Sequence, residues 1–307
     1  MSPRPDRLAD VATGCVRVGA SMSNIWEAHR SSMVVRRAGK TLGPRPIIVL
    51  GTARSGTTLI TNYLGSVPTV CNLGEYQGLH VAYGTVPRQI GWDMAGFPKH
   101  YQASLREHAR SYPRELASSL GAEFFVDGSP ANLEVADSLV RDLPDAIFVL
   151  MLRHFTGVVQ SLERGTEDGW YWMPTTTEGR GALWASYYGL ALALPKDRIV
   201  PLSYDHLCAD PSGCLREFSM AMRGAGFIGT PDQGVLGHSH AANPERRRHR
   251  ILRRSGRLGP IPSFDSEHWS AEDERILRPV VGSVDADLRG AFPGHYRSPI
   301  GYSSGPD

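Results

Sequence analysis

Residues 46–64 read Pro-Ile-Ile-Val-Leu-Gly-Thr-Ala-Arg-Ser-Gly-Thr-Thr-Leu-Ile-Thr-Asn-Tyr-Leu, and their reading decides the fold. Ile47–Leu50 is a short, unbroken apolar run, the pattern of a strand buried on both faces, and Gly51 ends it abruptly. Beyond the loop, Leu59, Ile60, Tyr63, Leu64 and Val67 recur at helical spacing. Strand, glycine-containing loop and helix in this order place backbone N–H groups and the positive end of a helix dipole around one point, which is an anion cradle. Gly51 and Gly56 have the spacing of a nucleoside-triphosphate loop, G-x-x-x-x-G-K-[ST], but Thr57 stands where that loop has its lysine. Without the lysine that reaches the β- and γ-phosphates, a nucleoside triphosphatase is disfavoured.

Working outward, Ile147–Leu152 followed by Phe155, Val158, Val159 and Leu162 repeats the strand-then-helix pattern. Glu123–Val126 and Arg198–Ser203 are further predicted strands, preceded by helix-like segments at Leu105–Leu120 and Ala182–Leu194. This alternation predicts an α/β protein with a parallel sheet covered by helices on both faces. Residues 1–45, with a basic run from Arg36 to Lys40, read as an N-terminal helical arm and linker, and 46–307 as the main domain. Gly78–His100, rich in Gly, Pro, Tyr and His, reads as an irregular surface excursion.

The 307 residues carry 33 Lys plus Arg against 31 Asp plus Glu, a formal charge of +2, so no global field marks a nucleic-acid or membrane-surface binder. With lysine confined to Lys40, Lys99 and Lys196, anion binding falls to arginine. Cys15, Cys71, Cys208 and Cys214 are too scattered for a secreted disulfide framework or a CxxC metal site, and no stretch is long and apolar enough to span a bilayer. The expectation is a soluble, cytoplasmic enzyme with reduced thiols and no nucleic-acid partner.

With Arg54 inside it, the loop Gly51–Thr58 resembles the 5′-phosphosulfate loop of sulfotransferases that use 3′-phosphoadenosine 5′-phosphosulfate (PAPS). Arg153, leaving the second strand, and Ser161, eight residues on, resemble that family's 3′-phosphate motif. A planar cationic fork and a hydroxyl donor are what a phosphate dianion requires. Phe124–Pro130 resembles the segment where relatives carry Lys-Thr-Pro or Lys-Ser-Pro, with Gly128 in the lysine's place, so that Ser129 or another arginine would have to supply the missing donor. Arg198–Leu207, with Tyr204 and Asp205, resembles an architectural strand of the same family. The resemblance spans about Pro46 to Phe218 and implies a P-loop-like parallel sheet. Arg54, Ser55, Gly56, Thr57 and Thr58 would then hold the 5′-phosphosulfate, and Arg153 and Ser161 the 3′-phosphate.

Sulfuryl transfer to an alcohol needs a general base for the hydroxyl proton. By the family's placement this is Glu75, in Cys71-Asn-Leu-Gly-Glu75, with His80 the next candidate and His100 and His154 after it. Desolvation would raise the Glu75 pKa and neighbouring arginines would lower it; the sequence leaves the balance open. Arg54 would share the catalytic work by stabilising charge. No metal is expected, and the acceptor would be a small molecule, glycan or natural product. Two other readings stand beside this one. One is a P-loop-type small-molecule kinase using ATP and Mg²⁺, with Asp127 as metal ligand; the other is a nucleotide-binding protein without turnover. Tyr76, Trp92, Trp170, Tyr171 and Trp172 form an aromatic set with no assigned role. Glu245–Arg257 carries seven arginines and one glutamate, a block of formal charge +6 that reads either as a solvated run or as a segment closing over an anionic cofactor.

Overall fold

The structure, a computed structural model, describes residues 43–83, 99–167, 169, 172–233, 264–299 and 302. Apart from its last three residues the expected N-terminal arm lies outside them, as do the arginine-rich block and Trp92, Trp170 and Tyr171.

The decisive stretch folds as read. β1 (Arg45–Leu50) is followed by the loop and by α1 (Thr57–Leu64). β2 (Val70–Asn72) then leads to α2 (Gly78–Ala82), and α3 (Lys99–Ser119) to β3 (Phe124–Asp127). A 3₁₀ turn at Pro130–Val135 and α4 (Ala136–Asp142) connect to β4 (Ile147–Leu152) and α5 (Phe155–Glu167). After α6 (Thr177–Leu192) come β5 (Ile199–Ser203), α7 (Tyr204–Ala209) and α8 (Pro211–Gly224), and α9 (Ala271–Ala291) closes the described chain.

The five strands form one sheet in the order β2-β3-β1-β4-β5, with every pairing parallel. β1 is central: Ile47 aligns with Val126 of β3 on one side and with Ile147 of β4 on the other. Side chains alternate between faces along a strand, and here both faces are core, which is why all six residues of β4 are buried and apolar. Ile48, Leu50, Phe148 and Leu150 pack under α5, α6 and α9, while Ile47, Val49, Val149 and Met151 pack under α1 and α8. Fully burying side chains of this kind contributes about 1.5–3 kcal/mol each, so these two strands anchor whatever their ends carry.

From β1 the chain moves toward β2, whereas from β4 it moves toward β5. Adjacent strands whose connections depart in opposite directions leave a crevice beyond their carboxyl ends, the switch point where open α/β sheets bind ligands. The predicted excursion at Gly78–His100 is corrected at its start, because 78–82 is a helical turn with Leu79, His80 and Ala82 buried.

Candidate active site

The loop leaving β1 is shaped by glycine and by one strained residue. Gly56 sits at φ 100°, and a Cβ there would come within 2.5 Å of the Tyr204 ring. Arg54 adopts φ 68°, a left-handed backbone that non-glycine residues take only where surroundings impose it. The first turn of α1 has no side-chain cap and no acidic residue, so its leading N–H groups are left for an anion. Thr52 is fully buried, and its hydroxyl has no partner among the described residues. Ser55 and Thr57 are buried, whereas Thr58 faces solvent. An uncapped helix start and an orphaned hydroxyl beside it fit a phosphate or sulfate group.

Across the switch point, the end of β4 delivers Arg153 to the same place. Its Nη1 donates to the Arg54 carbonyl oxygen at 2.7 Å, and Arg54 Nε donates to Ser161 Oγ at 3.1 Å. Two motifs 99 residues apart therefore meet in one cluster. Arg153 is 4% exposed, and its guanidinium lies over the Tyr204 ring at 4.1 Å. α6 fixes the backbone behind it: Tyr188 Oη accepts from Arg153 N at 3.0 Å and donates to the Met151 carbonyl at 2.8 Å, while Trp184 Nε1 donates to the Arg153 carbonyl at 3.0 Å. Sequence reading gave Tyr204 a capping or packing role and did not single out Tyr188 and Trp184. Tyr204 packs against the Arg153 guanidinium. The aromatic spacing of α6 was visible, although nothing in it said which strand the rings would hold.

Glu75 lies on the turn after β2. It is exposed, yet the protein around it removes enough water to raise its pKa above the ordinary glutamate value, and the Asp127 carboxylate raises it further. The balance left open by sequence thus falls on the side of desolvation. The turn is tied to β3 by Gly128 N donating to the Gly74 carbonyl at 2.8 Å, and Gly128 in turn abuts α1. A Cβ at Gly128 would stand 2.1 Å from Thr61 Oγ1, a buried hydroxyl without a partner among the described residues. With α1 packed as it is, a side chain at 128, where the resemblance implies lysine, would press into Thr61. Ser129 does not make up the difference either: it is fully buried, donates to Asp127 Oδ1 at 2.6 Å and accepts from Gln77 N.

The remaining candidates point elsewhere. His80 is fully buried with Nε2 3.5 Å from Glu134 Oε2, which removes it from any acceptor's reach in this conformation. His154 is buried beside Thr156, Asp285 and Arg289, and burial followed by the Arg289 charge pushes its imidazole well below the usual histidine range. Asp127, the Mg²⁺ ligand of the kinase reading, is fully buried and already receives donors from Ser129, Asn132 and Tyr76, so it is engaged in holding turns and not open to a hydrated metal. The His100 side chain lies outside the described residues; of the unassigned aromatic set, Tyr76 stacks its ring on Tyr112 at 6.1 Å.

No helix among the described residues is long and apolar enough to cross a membrane. A comparison with curated proteins finds no match. Among solved structures the chain is similar to the sulfotransferase STF9 from Mycobacterium avium, at 16% identity over 89% of this chain and 83% of that one, with a TM-score of 0.50. It is also similar to the sulfotransferase domain of the olefin synthase of Synechococcus PCC 7002, at 17% identity, 77% and 94% coverage and a TM-score of 0.42. The sulfotransferase domain from the curacin biosynthetic pathway matches at 15% identity, 77% and 97% coverage and a TM-score of 0.44. Residues 46–218 match the model of the sulfotransferase family, from the strand that opens the loop, through Glu75, Arg153 and Ser161, to the helix beyond Tyr204, and the chain belongs to that family.

Proposed function

We propose that the protein is a PAPS-dependent sulfotransferase acting on a hydroxyl of a small molecule, glycan or natural product. The observation that carries this reading is the convergence of Arg54, Arg153 and Ser161, because one pocket then offers an uncapped helix start for one anionic group and an arginine–serine pair for a second. A donor with a 5′-phosphosulfate and a separate 3′-phosphate needs both.

In this reading Ser55, Gly56, Thr57 and Thr58 with Arg54 hold the 5′-phosphosulfate, and Arg153 and Ser161 hold the 3′-phosphate. Bound there, PAPS supplies the sulfuryl group that is transferred. The chain's own work is to orient that group, to neutralise its charge through Arg54 and the loop amides, and to take the acceptor's hydroxyl proton on a carboxylate oxygen of Glu75. Charge neutralisation by backbone donors and arginine calls for no metal. A raised pKa makes Glu75 a stronger base than an ordinary glutamate. A cytoplasmic location agrees with Cys71, Cys208 and Cys214, which are free thiols.

The test compares two nucleotides. Adenosine 3′,5′-bisphosphate should raise the Tm well above the value reached with adenosine 5′-phosphate at equal concentration, since a lost charge-assisted partner costs about 1.5–3 kcal/mol. Equal stabilisation by the two would remove the 3′-site from Arg153 and Ser161. Labelled PAPS offered with fractionated host metabolites, followed by mass spectrometry for the added SO₃, then tests transfer itself; nucleotide binding with no product from any fraction would favour the reading without turnover.

A further inference from the structure

We propose that α9 and the described residues flanking it are a built part of the nucleotide site: Arg289, through His154, and Gln160, through the backbone of Asp265, are positioning residues for the Arg153–Ser161 pair. This rests on the reading of that pair as the 3′-phosphate site and says what fixes its spacing. Asp265, α9 and Tyr296 all lie beyond the stretch 46–218 that matches the family model.

Both members of the pair depend on how α5 begins. His154, directly after Arg153, opens the helix, since its carbonyl accepts from Val158 N at 3.3 Å. The Arg153 side chain lies along the first turn: a Cβ at Gly157 would come within 2.9 Å of its Nε. Ser161 stands on the second turn. The residue next to each is held from the C-terminal side. His154 is fully buried, and Arg289 Nη2 on α9 lies 3.3 Å from its Nε2. A guanidinium only donates, so Nε2 accepts, the ring is neutral, and Nδ1 carries the proton it donates to Thr156 Oγ1 at 2.9 Å. Asp285 Oδ1, 3.6 Å from Nε2, is too far to bond it. Asp285 instead holds Arg289, its Oδ2 accepting from Nε at 3.1 Å and from Nη2 at 3.0 Å, while Tyr296 Oη donates to Oδ1 at 2.6 Å. Beside Ser161, Gln160 pairs with the backbone of a single residue: Nε2 donates to the Asp265 carbonyl at 2.7 Å, and Oε1 accepts from Asp265 N at 3.0 Å.

Adhesion alone does not call for these bonds. Phe155 already meets the rings of Trp269 and Tyr302, an apolar contact that joins α5 to the closing part of the chain without direction. The polar contacts add direction, because a buried network with its partners in place fixes the rotation and advance of the helix start. α9 also backs α6 where Leu277 meets Gly181, and α6 grips the Arg153 backbone through Trp184 and Tyr188. Arg153 is therefore reached from α9 by two routes, the ring of its neighbour and its own main chain.

Titration calorimetry of the full chain with adenosine 5′-phosphate and with adenosine 3′,5′-bisphosphate, at a temperature where every variant is folded, tests this. The ratio of the first Kd to the second reads the 3′-site alone. Arg289→Met keeps the length of a side chain that is 43% exposed and removes its donor. The ratio should fall about tenfold, with the adenosine 5′-phosphate Kd within about twofold of the unsubstituted value. Losing a positive charge would by itself weaken an anion site, so Asp285→Ala is the control. It removes a negative charge, whose loss would raise the ratio through the field, and it releases Arg289, which lowers the ratio through position. We expect a fall. Gln160→Met removes no charge and should lower the ratio too; it decides the matter if a change on α9 prevents folding. Variants that melt at lower temperature but keep the unsubstituted ratio overturn the proposal and leave these contacts as packing. A rise with Asp285→Ala overturns it in favour of a field effect. A ratio near one in the unsubstituted protein removes the 3′-site itself, and the positioning role with it.

Discussion

Arg54 holds a left-handed backbone, φ 68°, in the middle of the anion loop, and this conformation separates two contributions of one residue. For a side-chain-bearing residue the region costs about 1–2 kcal/mol, whereas glycine enters it freely. Arg54→Gly and Arg54→Ala should therefore lose affinity for adenosine 3′,5′-bisphosphate to the same extent, while the glycine variant unfolds about 1 kcal/mol harder than the alanine one in denaturant titrations. Equal stabilities would mean that the loop relaxes and that the arginine's place is not imposed. Arg54, Arg153 and Ser161 were legible in the sequence through their resemblance to the family's two motifs, each of which follows a strand end, and strand ends were the clearest signal in the chain. The surroundings of Glu75 were not, because they depend on Asp127, 51 residues from Tyr76 in sequence and joined to it by one hydrogen bond across a strand pair. Gly128 was read as a missing lysine; that Thr61 fills the space could be known only once α1 was laid against β3.

At the scale of elements, the exit of β4 is held from both sides of the sheet. α6 grips its backbone from one face through Trp184 and Tyr188, and α9 presses on α6 where Gly181 admits Leu277, a Cβ at 181 standing 2.3 Å from Leu277 Cδ2. On the other face the first turn of α7 supplies Asp205, whose Oδ2 accepts from His154 N at 2.8 Å. Burial pushes the Asp205 carboxyl up to about 6 against the opposing pull of Arg153. A carboxyl with a folded pKa above its unfolded one holds a proton that the unfolded chain has already released, so its contribution to stability falls as pH rises between about 4 and 6. Asp205→Asn keeps the acceptor for His154 and removes the titration. The difference in unfolding free energy between this variant and the unsubstituted protein should grow in the variant's favour across that window, by on the order of 3 kcal/mol. A flat difference would place the Asp205 carboxyl in the ordinary range. β1, β3, β4 and β5 were legible as apolar runs. β2, with three residues, one of them exposed, is too short to show a period, and α9 carries Pro279 within it, which breaks a helical reading although a Ser270–Asp273 capping box starts it.

On the scale of the whole molecule, the order β2-β3-β1-β4-β5 places the loop after β1 beside the exit of β4, and each supplies one half of the candidate site. The parallel α/β class followed from the alternation of strands and helices, but the order of strands did not, since the same alternation is compatible with several crossovers. The order carries a consequence for the rates at which the chain folds and unfolds. The contacts that join the halves, Arg153 to Arg54 and Arg54 to Ser161, span 99 and 107 residues, and they exist only after β4 has crossed to the far side of β1 and α6 has docked behind it. Loop closure of that length makes such contacts late ones. A ligand that needs contacts absent from the transition state stabilises the native state without helping the chain reach it. Adenosine 3′,5′-bisphosphate at 100 times its Kd should therefore slow unfolding about 100-fold in stopped-flow measurements and leave the refolding rate unchanged. A refolding rate that rises with nucleotide would mean that the two halves meet early, and that the crossing of β4 is where the chain begins rather than where it finishes.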